Sequence, residues 1–443
     1  MGMIRNIVFI VLSFWIYNLS AQEVKDTLVE NGQMYLIHSV QPSESYNSIS
    51  KKYSIDINIL KQINKYIELY YRQRLRIPIK STFSDRVLFT DRKSKKIDIR
   101  KRQDTINIAL LLPFYTKKND SLLSYLAKSG QSEEDIYKES YMALSFLNGV
   151  IIAIDSLKRS GANINLFVYD TENDTSKVKQ LINAGKLKKV DLIIGPAYQK
   201  NLSIVTKLYG KNNNKTIISP LSKNSNVLKH GTNIFQIIPP KKLQIKKISD
   251  FVLKKYKKER VLILAQKKDE KYVKEYRSIF KKDQRRVKAC LFSDLNTITR
   301  DTICKFLSKH NYLILTPSSD RSFVSKLISV LGTIDTSMIV FGLHNWKSFE
   351  NLDVETLMKL NVHFPDPFYF DYNDVVNKRF LLLYKQKFNA IPDKYAQVAF
   401  NQIMYFCINK GVYDFKRYYA RGGQVNHKFP IVKYQDYSIT KLK

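Results

Sequence analysis

Apolar positions along this chain change rhythm twice. Between Tyr35 and Ile79 they come in short bursts: YLIHSV and RLRIPI read as strands, while SYNSISKKYS and DINILKQINKY repeat at helical spacing. The first helical pattern sets Tyr46, Ile49 and Tyr53 on one stripe; the second, with Asp56 as N-cap, turns Leu60 and Ile63 inward. Two strands and two helices of this size predict a small βααβ unit over residues 35–79. From Ile106 onward the runs INIALLLP (106–113), INLFVYD (164–170), VDLIIGP (190–196), TIISP (216–220), VLILA (261–265), YLILTP (312–317) and MIVFG (338–342) lack polar alternation, as parallel strands buried on both faces do.

Between those runs lie helical patterns. ALSFLNGVIIAIDSLKRSG (143–161) puts Leu144, Leu147, Ile151 and Ile154 on one face and ends at Gly161, a left-handed cap. Strand, helix, strand repeated this often predicts an α/β fold with parallel sheets and right-handed crossovers. The strands are too many for one sheet and the rhythm breaks at NIFQIIPP (233–240), so two Rossmann-like lobes with a hinge are expected within residues 104–443. Lobe 1 is expected over 104–238 and 345–411, and lobe 2 over 239–344 and 412–443. After Gly422-Gly423 the pattern becomes strand-like again and reads as a small antiparallel addition.

Composition bounds the class. The chain has 443 residues, 44% of them hydrophobic, which is enough for two or three packed units. Residues 1–21, MGMIRNIVFIVLSFWIYNLSA, have the layout of a secretory signal peptide with cleavage after Ala21. The apolar run Ile7–Tyr17 is about half the roughly 20 residues a spanning helix needs, an uncleaved anchor being the alternative. No later segment reads as apolar enough to span a bilayer. None of the three cysteines, Cys290, Cys304 and Cys407, follows the cleavage site to accept a lipid, and their odd number argues against a disulfide framework. The expected location is therefore the periplasm or cell envelope. The net charge of +35 is spread along the whole chain and reads as solvated lysine faces, so no nucleic-acid partner is expected. Residues 80–103 carry a dense basic stretch with weak periodicity and read as a linker.

With Val40, Glu44, Ile49, Tyr53, Leu60, Asn64, Leu75, Ile77 and Pro78 in place, the cassette at 35–79 resembles the LysM family. It departs from the family pattern at Ser43, Tyr46, Ser54 and Arg72. The resemblance implies binding of N-acetylglucosamine-containing glycan, hence peptidoglycan as a partner, in a groove lined by Ser43, Glu44 and Ser45 and by the loop beginning near Asn64. Capping of the two helices by Ser43, Ser45 and Asn64 is the competing reading.

Residues 105–443 resemble the type I periplasmic binding proteins, the superfamily of leucine/isoleucine/valine-binding proteins. The resemblance is carried by INIALLLPF, ALSFLNGVIIAIDSL, LFVYDTENDT, DLIIGPAY, TIISPLSKNSN, NIFQIIPP and FNAIPDKYAQVAFNQIMYF. It implies an interlobe cleft for a small ligand, an amino acid or wall fragment, at the carboxyl ends of the strands. Phe114, Tyr115, Ala197, Tyr198, Ser219, Ser222, Asp269, Tyr272 and His344 are the residues expected there, with packing or capping as the competing reading for several. The segment 117–138 after the first strand is expected to form a lid or partner surface, or to be disordered. A permease would be the partner of a solute-binding component, and a peptidoglycan synthase that of a scaffold. Neither metal-ligand spacing among the six histidines nor any nucleophile or phosphate-loop motif appears, so no enzyme, metal or cofactor is expected.

Overall fold

The computed structural model describes residues 27–30, 33–40, 44–53, 55–65, 68–71, 73–79, 105–129, 136–212, 214–257, 259–281, 287–307, 312–334, 337–408 and 411–442. The expected signal peptide, the basic linker at 80–103 and Ser43 lie outside them. The chain divides into two compact units.

The smaller unit opens with β1 (Thr27–Glu30), which pairs antiparallel with β2 (Gln33–Ser39). Then come α1 (Tyr46–Tyr53), α2 (Ile57–Asn64) and β3 (Arg74–Ile79), which pairs antiparallel with β2 so that Leu36 faces Ile77 and His38 faces Leu75. The expected βααβ order is present, with β1 added ahead of it. Asp56 caps α2 by accepting from the N–H groups of Asn58 (2.8 Å) and Ile59 (3.3 Å). Leu36, Val40, Tyr46, Ile49, Tyr53, Leu60, Leu75 and Ile77 form the core, while Ile63 is only half-buried.

The larger unit begins with β4 (Ile106–Leu112), α3 (Thr116–Ser129), α4 (Tyr141–Arg159), β5 (Ile164–Asp170), α5 (Thr175–Asn183), β6 (Leu192–Ile194), α6 (Gln199–Tyr209), β7 (Thr216–Ser219) and β8 (Ile234–Gln236). It continues with α7 (Lys241–Lys255), β9 (Arg260–Gln266), α8 (Glu270–Lys281), β10 (Val287–Phe292), α9 (Arg300–Cys304), β11 (Tyr312–Leu315), α10 (Arg321–Gly332), β12 (Met338–Phe341), α11 (Val354–Lys359) and β13 (His363–Pro365). The last elements are α12 (Val375–Phe388), α13 (Lys394–Ile408), β14 (Phe415–Arg417), β15 (Gln424–Asn426), β16 (Ile431–Gln435) and β17 (Ser438–Lys441). One seven-stranded sheet has the order β14-β15-β8-β7-β6-β4-β5 and the other β10-β9-β11-β12-β13-β16-β17. All seven apolar runs are strands, parallel to their neighbours in these two sheets. This is the two-lobed α/β architecture expected.

The tail distributes differently from the expected lobe limits. His363–Pro365, placed in lobe 1 by the sequence, pairs with Phe341 in the second sheet, and Gln424–Asn426, placed in lobe 2, runs parallel to β8 in the first. Strands of three residues show no period to read. The stretch after Gly422-Gly423 is likewise split: β15 joins the first sheet, and the β16–β17 hairpin joins the second beside β13.

Two further readings shift. β5 is an edge strand and Phe167 and Val168 are exposed, so it is not buried on both faces. In α4 the buried stripe runs through Phe146, Val150, Ala153, Ile154 and Leu157, while Leu144, Leu147 and Ile151 are half-buried. Lys138–Arg159 is also long and apolar enough to cross a membrane, contrary to the sequence expectation, but 61% of its apolar window is buried, as in a core helix. Gly161 takes the expected left-handed cap at φ 90°. The segment after the first strand is helical as α3 over Thr116–Ser129.

Candidate functional site

In the smaller unit the polar residues of the expected groove are engaged with one another. Ser45 and Ser48 form a reciprocal cap at the start of α1: the Ser48 N–H donates to Ser45 Oγ (3.2 Å) and the Ser45 N–H to Ser48 Oγ (2.9 Å). The Glu44 carboxylate is 1% exposed; it accepts from Lys52 Nζ at 2.9 Å and sits 2.5 Å from His38 Nε2. The fully buried His38 ring meets Tyr53 OH through Nδ1 at 3.1 Å. This set links β2, the first loop and α1. Asn64, also buried, donates through Nδ2 to the carbonyls of Leu60 (2.8 Å) and Arg76 (2.9 Å) and accepts the Arg76 N–H at 2.6 Å, which fastens α2 to β3. The side chains of Glu44 and Asn64 therefore face inward.

What the second loop turns outward is aromatic. Tyr70 is 65% exposed and Tyr71 55%, and Gln73 shapes their turn by accepting the Tyr70 N–H through Oε1 (3.1 Å) and donating its own N–H to the Tyr70 carbonyl (3.1 Å). The sequence reading passed over these rings, although two adjacent tyrosines between a helix and a strand are a readable signal.

In the larger unit the expected residues gather at the carboxyl ends of the strands. Asp170, at the end of β5, organises the loop after β4. It accepts from the N–H groups of Phe114 (2.9 Å), Tyr115 (3.2 Å), Thr116 (2.8 Å) and Glu172 (2.9 Å) and from the Thr116 hydroxyl (3.0 Å). Burial alone would raise its pKa; the amides of Thr116 and Glu172 and the Thr116 hydroxyl outweigh that and hold it below the usual carboxylate range. Phe114 is buried, whereas Tyr115 takes a left-handed backbone (φ 52°) and packs edge-on against Tyr137 with Lys118 over both rings. Burial raises the Tyr115 pKa, and Tyr198 raises it further; the two residues follow β4 and β6, which pair side by side in the sheet. Gly195 precedes the buried Ala197; at φ 92° and with the Leu111 carbonyl 2.3 Å from where a Cβ would stand, only glycine fits. Tyr198 is 43% exposed, Ser219 is fully buried with no partner for its hydroxyl among the described residues, and Ser222 Oγ accepts the Asn224 N–H at 3.2 Å.

The second sheet contributes a cationic rim. Asp269 is buried and pairs with Lys241 at 3.0 Å, and Lys241 also donates to the Pro317 carbonyl (3.1 Å). Tyr272 lies between Lys241 and Lys271, at 4.5 and 5.0 Å from its ring centre. His344 is gripped by Gln244, which accepts its N–H at 3.1 Å and lies 3.0 Å from Nδ1. Burial pushes the His344 pKa down to about 4, and Lys223, from the loop after β7 of the first sheet, lowers it as well. Lys223 of the first sheet's loop thus stands within the field of His344 beside the second sheet. Burial likewise leads the rise in the Tyr418 pKa, to which Tyr272 and Glu275 add. Lys223, Lys241, Gln244 and Asp170 were missed from sequence, since lysines in so basic a chain carry no signal by type alone.

Among the described residues no group of His, Cys, Asp and Glu has the arrangement to hold a metal ion. The LysM domain family matches residues 38–78. No curated protein matches the chain. A crystal structure from Rhodospirillum rubrum assigned to a branched-chain amino acid ABC transporter superposes with a TM-score of 0.57 at 10% identity, covering 76% of this chain and 100% of that one. The ABC transporter substrate-binding protein of Desulfitobacterium hafniense in complex with Leu gives 0.52 at 12% identity, with coverage of 76% and 100%. Full-length LpoA from Haemophilus influenzae gives 0.46 at 12% identity, with 76% of this chain set against 59% of that one. The protein therefore carries a LysM domain at residues 38–78, and over 76% of its length the chain is structurally similar to the type I periplasmic binding proteins.

Proposed function

We propose that this protein works in the cell envelope as a non-enzymatic binding protein, attached to peptidoglycan by its LysM domain and holding a small ligand at the rim where the strands of its two sheets end. The observation that carries the reading is the joining, in one chain, of a complete LysM fold to a two-lobed fold similar to substrate-binding proteins. Supporting the first half, Tyr70 and Tyr71 offer flat apolar faces of the kind that receive a sugar ring. Supporting the second, strand ends in parallel sheets collect ligands because loop amides and helix N-termini present partial positive charge there. The expected leader at residues 1–21 fits export.

Retention on insoluble sacculi tests attachment. The full chain should pellet and a chain lacking residues 35–79 should stay in solution; equal retention of the two would sink the attachment. Ligand binding is tested by thermal shift against amino acids and wall fragments. Intact retention without any shift would leave the two-lobed unit to act through protein contacts instead.

A further inference from the structure

We infer that the rim takes a multiply carboxylated anion and rejects free zwitterionic amino acids. This rests on the ligand-binding reading above and goes beyond it by fixing the ligand's charge. An amino acid brings an ammonium group as well as a carboxylate, and a site for it needs an acid with capacity to spare. The carboxylates at these strand ends are occupied. Asp170 accepts four amides and a hydroxyl. Asp269 holds Lys241, and Asp320 holds Lys268 at 2.6 Å while capping α10 through the Phe323 N–H at 3.0 Å. Asp366 holds Lys347 at 2.8 Å and accepts the Phe368 N–H at 2.9 Å. Glu172, two residues beyond β5, pairs with Lys177, and Glu139, exposed near Tyr115, stands within the field of Lys118.

The cations are in surplus. Lys241 and Lys271 flank the Tyr272 ring, and neither Lys271 nor Lys223 on the opposite sheet has a carboxylate partner among the described residues. The Lys241 pKa is lowered by burial first, against the pull of Asp269, and then by the like charges of Lys223 and Lys271. Like charges gathered from two lobes are relieved by an anion that bridges them. Among the buried hydroxyls without a partner among the described residues are two at these strand ends, Ser219 Oγ at the end of β7 and Thr316 Oγ1 next to the carbonyl that Lys241 grips; both can donate to an oxyanion. A ligand with two separated carboxylates meets Lys223 from one side and Lys241 with Lys271 from the other.

The test is calorimetric titration of the full chain with N-acetylmuramyl-L-alanyl-D-glutamate, which has two free carboxylates and no ammonium, alongside leucine and inorganic phosphate. The dianion should bind at least about tenfold more tightly than leucine, and Lys223→Ala and Lys271→Ala should each weaken it by up to about tenfold, with a further loss as salt rises. Tighter binding of leucine, or dianion binding that persists unchanged in the doubly substituted chain, would overturn the inference; the latter would place the ligand elsewhere, the LysM domain included. An equal, lysine-dependent response to phosphate would overturn the carboxylate assignment. Leucine binding alone leaves the ligand-binding reading standing, while silence from all three probes removes both.

Discussion

In the LysM domain a core cluster of eight apolar side chains, from Leu36 to Ile77, shares the interior with the buried His38, Glu44, Asn64 and Gln73 among the described residues. In the larger unit the centre of the second sheet is apolar throughout, with Val261 to Ala265, Leu313 to Leu315 and Val340 to Phe341 all but inaccessible, and its buried Asp269, Thr316 and Ser318 stand at or just beyond strand ends. The contrast follows from size. A domain of a few dozen residues buries too little apolar surface to be stable by that alone, so its polar residues are used to fasten elements together. A domain of several hundred residues has stability in reserve and can leave hydroxyls unpartnered where a ligand would meet them. In a small domain a polar side chain in a family motif is thus a structural tie, as Glu44 and Asn64 are here.

The strongest way to break this comparison is to attack the apolar centre. Leu313, fully buried on a central strand, should lose about 4 kcal/mol on Leu313→Ala through lost transfer energy and the cavity left behind. Calorimetry of the full chain should show the larger unit melting earlier and the LysM transition unmoved. A loss below about 1 kcal/mol would mean that the sheet's centre carries less of the stability than its burial implies.

Acid should separate the units next. His363 lies in β13, 2% exposed and packed on Phe251 and Phe341. Burial lowers its pKa from the ordinary 6.5 to about 4; the Asn361 carbonyl opposes this, while Lys433 and Lys255 add to it. The unfolded chain takes up this proton more readily than the folded one, so the contribution is intact above pH 6.5, is lost as pH falls from 6.5 to about 4, and is level below that. The full loss corresponds to about 3 kcal/mol, and His344 acts in the same direction. Urea midpoints of the larger unit measured across that window should fall, and His363→Gln should flatten the slope; an unchanged slope would assign the acid response to other groups.

How much of this was readable beforehand depended on the length of the signal. Runs such as INIALLLP and VLILA announce buried parallel strands because several consecutive residues agree, whereas HFP and QVN are too short to show any period, and with them the lobe limits went astray. The rim's loop positions could be placed because strand ends are defined by the strands themselves. Its electrostatics could not be read. Which lysine stands beside Tyr272, and which aspartate is already occupied, depends on side chains brought from Pro240 to Lys271 and from Leu112 to Asp170 by folding. In the LysM domain Glu44 and Asn64 were expected in the glycan groove, yet their side chains face inward, held by His38 and Arg76, six and twelve residues away.

Asn64 sharpens the contrast from the polar side. Asn64→Ala removes two donated hydrogen bonds and one accepted one and leaves the backbone groups of Leu60 and Arg76 short of partners, at a cost of about 2 kcal/mol. In a domain this small that is a large share of the total, so the LysM transition should drop steeply or vanish while the larger unit is unaffected. Retention on sacculi should fall in parallel with the folded fraction, and retention that survives unfolding would mean that attachment does not depend on this fold.

The smallest effect is the most discriminating. Ser45 is exposed, on the loop proposed to meet the glycan, and its hydroxyl already accepts the Ser48 N–H. If capping is its whole role, Ser45→Ala should cost about 1 kcal/mol of domain stability and leave the affinity of the folded protein for chitin oligosaccharides unchanged. Ser45→Asp keeps a side-chain acceptor at the N-cap and should recover most of the stability. A sugar contact behaves differently: alanine would weaken binding at temperatures where the domain is fully folded, and aspartate would restore the melting point without restoring the affinity. Titration well below the melting transition of both variants separates the cap from the contact, because a residue that acts only through α1 has no means of altering affinity once α1 is formed.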